Sequence, residues 1–457
     1  MPSSHRSSFL FRPSLSLLLL GILLATLWLT GGASRAEVLG QVVVRTVSWI
    51  VLIVAILFGP RPSLNGAKPV LILLGLAAAL ALVQLIPLPP AVWQSLPGRG
   101  PLAEAALASG QVQPWRPWSI VPGATFNAAS SLVVPFATLL LLLQLKPDER
   151  LLLPALLLGF VTVSMLVGLL QFSGAVLNNV FVNDTPGAVA GTFANRNHFA
   201  LFLAIGCLLA PVWSFAGEKQ PRWRTLVAWG LVLLFLLTIL GSGSRAGLGV
   251  GLAAVLLGLL MSRKAMQRAL ARYPRWVFPA VIAGIVALFV LLSFLSNRAV
   301  SIDRVFALDA TQDMRSRGLP VVLGLLGDLF PFGAGLGSFD PIFRAYEPFD
   351  LLKPTYFNHA HNDFLEVVLD AGLPGLLLLV AAFGWWAWAS VRAWWAGPHR
   401  RQALPRLGSA ILFLVAIASI VDYPARTPMM MAVIVIAATW LSGHSQAEKS
   451  SALPKSD

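Results

Sequence analysis

The sequence predicts an all-α integral membrane protein with about twelve transmembrane helices and one large non-cytoplasmic loop containing short helices. Three observations predict it. Of the 457 residues, 57% are hydrophobic and only 11% charged, against about 25% charged in a soluble domain, and the mean hydropathy is +0.78. The apolar residues form long unbroken runs, such as SLSLLLLGILLATLWL and VVPFATLLLLLQL. Barrel strands would show short alternating segments instead, and helices are the other way to satisfy the backbone in lipid. Finally, the positive charges segregate between alternate loops.

In chain order, runs close to the ~20 residues a bilayer needs lie near 14–31, 42–59, 69–87, 128–145, 151–172, 198–216, 226–241, 246–261, 276–296, 363–390, 407–421 and 429–441. The first is long in its apolar part and lacks a clean cleavage site, although Gly32-Ala33-Ser34 is a weak signal of one,. It is taken as a span. The chain then divides into helices one to four (1–150), helices five to nine (151–296), the large outer loop (297–362), the C-terminal helices (363–441) and a tail (442–457).

With the N-terminus inside, the cytoplasmic segments carry 20 of the 33 Lys and Arg but 5 of the 19 Asp and Glu. The net charge of +14 is therefore a topology signal of the positive-inside kind and not a nucleic-acid patch. Both termini are expected in the cytoplasm. The single cysteine, Cys207, lies in an apolar run and excludes an internal disulfide,.

Two outer loops are long. The first, about 88–127, is rich in proline and tryptophan and suits the membrane interface. In the second, DMRSRGLPVVLGLLGDLF reads as a helix lying in the membrane surface, with Pro320 in its first turn,. The following PFGAGLGSF lacks the strand–turn–helix context of a nucleotide site. It reads as a tight reversal that returns the chain toward the membrane.

The unusual polar residues gather on the outer face. In NHAHNDFLE, the spacing of His359, His361 and Asp363 can supply metal ligands. Asn362, Asp363 and Glu366 fit a helix start with a capping box. His361 can also take a proton from a hydroxyl near neutral pH, with His359 orienting it or purely structural. In GTFANRNHFA, Asn195 or Asn197 can cap a helix, and Arg196 suits a phosphate or snorkels to a lipid headgroup. In GSGSRAGL, Arg245 lies at a short turn near a helix N-terminus, where a cation opposes the dipole. An anionic ligand or an internal salt bridge would resolve that. Arg304, Arg315 and Arg317 lie in the large loop. Asp422 and Arg426 can pair across a short turn. No glycosidase-like carboxylate pair, nucleophile elbow or P-loop is visible. Several arginines and a histidine facing the outer membrane surface fit a lipid-linked phosphate substrate with a hydroxyl acceptor.

GTFANRNHFA, SRAGL and HNDFLEVVLDAG, the last with His361, Asn362 and Gly372 in register, resemble the O-antigen ligase and polymerase superfamily of bacterial envelopes. The resemblance runs from about 185 to 430. It implies a bacterial inner-membrane glycosyltransferase with its site on the periplasmic side, using no cofactor and no metal. It implies an undecaprenyl-diphosphate-linked glycan as donor and a lipid A core, polysaccharide or protein hydroxyl as acceptor, with membrane lipids but no nucleic acid as partners. It makes His361 the candidate base and Arg245 and Arg315 the candidates for holding the diphosphate. Arg304 competes with Arg315, because both fit R-x-x-x-L, with Leu308 and Leu319 respectively. Arg196, Asn195, His359 and Arg426 complete the candidate substrate-binding set. A non-catalytic transporter or flippase of a lipid-linked glycan is the rival reading; it predicts midplane charges and two-half symmetry, which the sequence does not display.

Overall fold

A computed structural model describes residues 12–64, 66–175, 177–182, 187–214, 222–269, 314–352, 357–396 and 403–443, together with 274, 276 and 284. The expected span at 276–296 lies outside these, except for single residues, and so does Arg304.

The first three helices are α1 (Leu15–Thr30), α2 (Leu39–Phe58) and α3 (Lys68–Val83). The segment at about 88–127, expected as an interfacial loop, contains short elements of its own. Pro87–Leu88 (β1) pairs antiparallel with Arg116–Pro117 (β2), enclosing α4 (Pro90–Trp93) and α5 (Gly100–Ala108). Proline opens both of these short helices, where its missing N–H is harmless,. Next, α6 (Pro122–Ser131) and α7 (Val133–Gln144) form one apolar segment, as do α8 (Pro147–Arg150) and α9 (Leu153–Phe172). The chain continues through α10 (Arg196–Ser214), α11 (Arg222–Gly241), α12 (Arg245–Ala269), α13 (Met314–Leu329), α14 (Phe339–Tyr346), α15 (Asp363–Trp395), α16 (Ala403–Val421) and α17 (Pro428–Ser442).

Among the described residues, eight helical segments are long and apolar enough to cross a membrane, and α1, α3 and α17 are shorter apolar helices. The chain is thus a multi-pass membrane protein. Its centre is α10, which packs against α9, α11, α12 and α16 and buries nearly every side chain after His198. In lipid the apolar effect does not drive such contacts; close packing does. Leu20, Leu23, Leu24 and Leu27 of α1 are fully buried in the same core.

A second core lies outside the bundle. Val322, Leu325 and Leu329 of α13 and Phe339 and Phe343 of α14 close over Leu369 of α15. Pro320 sits inside α13, six residues past its start, and not in the first turn as expected. The PFGAGLGSF reversal does form. Gly333, Gly335 and Gly337 take φ of 75°, 110° and 77°, a region glycine occupies without steric cost. This turn docks on α15: Ala334 and Gly335 donate their N–H groups to the carbonyls of Leu369 and Asp370, and Gly337 donates to the Asp370 carboxylate.

That docking breaks α15. Gly372 has φ 58° and ψ −142°, and a side chain there would overlap the Pro331 carbonyl oxygen. Leu373 donates to that oxygen at 2.7 Å. The residues before the kink therefore belong with α13, α14 and the glycine turn, while 373–395, about 34 Å of helix, suffice to cross the membrane. Arg99, buried between the first loop and the turn, donates to the carbonyls of Pro97, Trp118 and Gly333. Burial pushes its pKa down to about 10, so it stays charged at neutral pH and ties these two segments together.

Candidate active site

The N-termini of α10, α12 and α15, the loop after α1 and the α16–α17 turn meet at one end of the bundle. The sequence explains how each begins there. Asn362 is the N-cap of α15: its Oδ1 accepts from the Phe364 and Leu365 N–H groups at 3.0 Å each, and its amide donates to the Ile420 carbonyl. Asn195 does the same for α10, accepting from the Asn197 N–H at 2.8 Å. Ser244 caps α12, accepting from the Gly247 N–H at 2.9 Å, and donates to Asn197 Oδ1 at 2.7 Å. That last bond locks two helix starts side by side.

Asp422, at the end of α16, is the hub of this end. It is 1% exposed. Its carboxylate accepts from the side-chain amides of Asn195 and Asn197 and from the Tyr423 N–H. His361 Nδ1 lies 3.2 Å from Asp422 Oδ1, and His198 Nε2 lies 3.7 Å from the same oxygen. The Tyr423 ring packs between His198, His359 and His361, with centroids 4.9, 4.3 and 5.0 Å away.

His361 is held in an uncommon backbone state. With φ of 53° it is the one non-glycine residue with positive φ among the described residues. Such a conformation costs of order 1–3 kcal/mol and persists where neighbours enforce it. Here they do on both sides: Ala360 donates its N–H to Glu366 Oε2 at 2.8 Å, and Asn362 is fixed as the cap. The His361 side chain is 17% exposed, and its Nε2 has no hydrogen-bond partner among the described residues.

The second network is separate. Arg426 lies 3.2 Å from Asp363, 3.1 Å from Glu366 and 3.9 Å from Asp370. Burial alone would lower its pKa; Glu366, Asp363 and Asp370 more than offset this and raise it. Ser419 donates to Asp363, while His359 Nδ1 sits 2.8 Å from Glu366 Oε1 and its Nε2 2.9 Å from Ser34 Oγ.

Two local expectations are corrected by these partners. Asp422 and Arg426 do not pair with each other: the Pro424–Arg426 turn sends one toward α10 and the other toward α15. Asp363 and Glu366 do not form a capping box. Asn362 caps alone, and both carboxylates face the interior toward Arg426.

Of the predicted site residues, the structure brings His361, His359, Asn195 and Arg426 into these two networks. Arg196 and Arg245 are the first residues of the adjoining helices α10 and α12, half-buried and exposed respectively. Arg315 is the second residue of α13, and its side chain lies outside the described part. Arg317, also on α13, pairs with Asp350 at 2.7 Å. The sequence reading missed the role of Asp422 as the carboxylate beside His361, and of Asn197 and His198 as its neighbours. The signal available was an aspartate at the end of an apolar run, which is expensive in lipid without a partner.

Residues 230–380 match the family model described as O-Antigen ligase, so this stretch, with Arg245, His359 and His361, is O-antigen ligase-like. Asn195 and Asp422 lie outside it and join His361 through the fold. A probable peptidoglycan glycosyltransferase, FtsW, from Thioalkalivibrio sulfidiphilus is 28% identical over 207 residues, 44% of this chain and 44% of that protein. The chain thus matches less than half the length of this relative.

Proposed function

We propose that the protein is a membrane glycosyltransferase that moves a glycan from a polyprenyl-diphosphate carrier to a hydroxyl acceptor, on the periplasmic side of the bacterial inner membrane. The observation that carries this reading is His361, strained and partly exposed, with one ring nitrogen on the buried Asp422. The O-antigen ligase match over residues 230–380 and the FtsW likeness support the reaction class.

The carboxylate of Asp422 favours the proton on His361 Nδ1, which leaves Nε2 as the acceptor. Nε2 takes the proton of the acceptor hydroxyl as its oxygen attacks the anomeric carbon. The bond from that carbon to the carrier's phosphate oxygen breaks, and the diphosphate leaves with the electron pair. One displacement inverts the anomeric centre. Asp422 stabilises the imidazolium that forms. Arg245 and Arg196, at neighbouring helix N-termini, stabilise charge on the leaving diphosphate together with the positive ends of those helix dipoles. Arg315 or Arg304 adds a further cation from the large loop. His359 holds the loop before His361 in place.

The test is transfer by purified protein in lipid nanodiscs, supplied with undecaprenyl-diphosphate-linked glycan and acceptor. Wild type forms a new glycosidic bond and releases undecaprenyl diphosphate; His361→Ala inserts and folds but lowers turnover at least a thousandfold. Movement of the lipid between leaflets without a new bond would overturn the proposal in favour of a flippase.

A further inference from the structure

His198 is an imidazole beside Asp422 that the proposed chemistry does not use. It is 1% exposed, and neither ring nitrogen has a hydrogen-bond partner among the described residues. Buried polar groups are nearly always hydrogen-bonded, and leaving one bare is costly. An apolar side chain would suit much of the surroundings. Leu201, Val250 and Pro424 line a cavity of about 10 Å³ beside the ring, together with Asn197, Gly247 and Asp422. At roughly the size of one water, this cavity admits no sugar or phosphate, so His198 does not touch the substrate.

What the ring does face is charge. Its Nε2 lies 3.7 Å from Asp422 Oδ1, the same oxygen that meets His361 Nδ1 at 3.2 Å. A separation of 3.7 Å is too long for a hydrogen bond but well within reach of Coulomb attraction. The geometry therefore gains little from a neutral His198 and much from a charged one. Tyr423 packs edge-on against both rings and holds them at the carboxylate. His359 lies on another side of the Tyr423 ring, bound to Glu366. The charged groups at the adjoining helix starts are Arg196 on α10 itself and Arg245 on α12. Helix α9 carries no titratable residue, and Arg222 and Arg224 of α11 and Arg406 of α16 lie at the far ends of their helices. The arginines keep a constant charge. Between about pH 5 and 8 histidines are the side chains that change theirs.

Resting on the transferase reading, we propose that His198 is a positioning residue that competes with His361 for Asp422. When His198 takes up a proton, the carboxylate serves two imidazoles and supports the base less strongly. When His198 is neutral, Asp422 is left to His361. Two like charges on one carboxylate disfavour each other, so the pair takes up protons in two coupled steps. Transfer then slows at mildly acidic pH before the base itself is fully protonated.

The test reads the charge of His361 without turnover. Full-length protein in nanodiscs, with neither donor nor acceptor, is treated with diethyl pyrocarbonate, which modifies neutral imidazole, from about pH 5 to 8. Peptide mass spectrometry measures the rate at His361, scaled to N-acetylhistidine in the same solution. In wild type the His361 curve is broader than one proton allows. In His198→Gln and in His198→Phe it narrows to one proton, and its midpoint rises by about half a pH unit or more, because the competing cation is gone. A one-proton curve in wild type overturns the proposal whether or not the variants fold, and so does an unmoved midpoint in either folded variant. A shifted midpoint in a protein that forms no glycosidic bond refutes the transferase reading alone; transfer by wild type with an unshifted midpoint refutes the role of His198 alone.

Discussion

Replacing Asp422 by asparagine removes one negative charge and almost no volume, and it tests the pairing of His361 directly. In the proposed reaction His361 becomes an imidazolium in the transition state, beside a carboxylate whose side chain is 2% exposed. The closest atoms are 3.2 Å apart, which puts the charge centres about 4 Å apart. At an effective dielectric of 20 that attraction is worth about 4 kcal/mol, close to three decades in rate. Asn195, Asn197 and the Tyr423 N–H already draw on the same carboxylate, so part of the charge is compensated and the expected fall in kcat is ~10²–10³-fold. The asparagine amide oxygen can still accept from Nδ1, and the neighbouring amides can rotate to meet its NH₂, so the fold survives. The assay is single-turnover glycan transfer in nanodiscs, with thermal unfolding measured on the same preparation. Adding His361→Ala to Asp422→Asn should lower the rate by much less than the product of the two single effects, because both remove one coupled interaction. A folded Asp422→Asn protein that transfers within fivefold of wild type would refute the assignment of Asp422 as the partner of the base.

Other consequences are structural and read by thermal unfolding. Arg426→Met leaves Asp363, Glu366 and Asp370 without their shared cation and should cost about 3–5 kcal/mol, as expected when one partner of a buried ion pair is removed; a melting temperature within a few degrees of wild type would contradict the network. Gly372→Ala should cost about 3 kcal/mol or more, since the backbone there suits glycine alone and a side chain meets the Pro331 carbonyl; wild-type stability would show that the kink relaxes freely. Arg317→Ala, by contrast, breaks a pair whose side chains are 36% and 70% exposed and should change stability by at most about 1 kcal/mol.

Hydropathy located the described helices to within a few residues, because each apolar run is a local property of the chain. The segment at 88–127, read as a loop suited to the membrane interface, carries short helices as well, and there Pro90 and Pro122 open helices. The histidine motif was visible as a helix start, and Asn362 does cap it. What the sequence could not reveal was which distant group each charge would meet. Asp422 and Arg426 stand four residues apart, a spacing that suggests mutual pairing, but a turn beginning at Pro424 directs them to different helices. Glu366 has the spacing of a capping box, yet its burial beside Arg426 gives it other partners. Gly372 appears in the sequence only as a glycine at a fixed distance from His361. Its necessity comes from a turn about forty residues earlier, whose Pro331 carbonyl occupies the space of a side chain.

The two charge networks at the start of α15 explain why the histidine pair is unequal. His359 is immobilised between Glu366 and Ser34, with both ring nitrogens engaged. That network also fixes the Ala360 N–H, while Asn362 fixes the chain two residues later. His361 is the residue left to connect two anchored segments, and a positive φ is the consequence. The strain points its ring toward Asp422 and not into the Arg426 cluster, so a reactive imidazole can face the groups at the helix starts while its neighbour serves as backbone support. A flexible approach to the helix would leave the His361 ring free to choose between the two carboxylate sets; the rigid one selects Asp422 before any substrate arrives. The Arg426 cluster thus acts on the proposed chemistry at one remove, through the backbone conformation of the base.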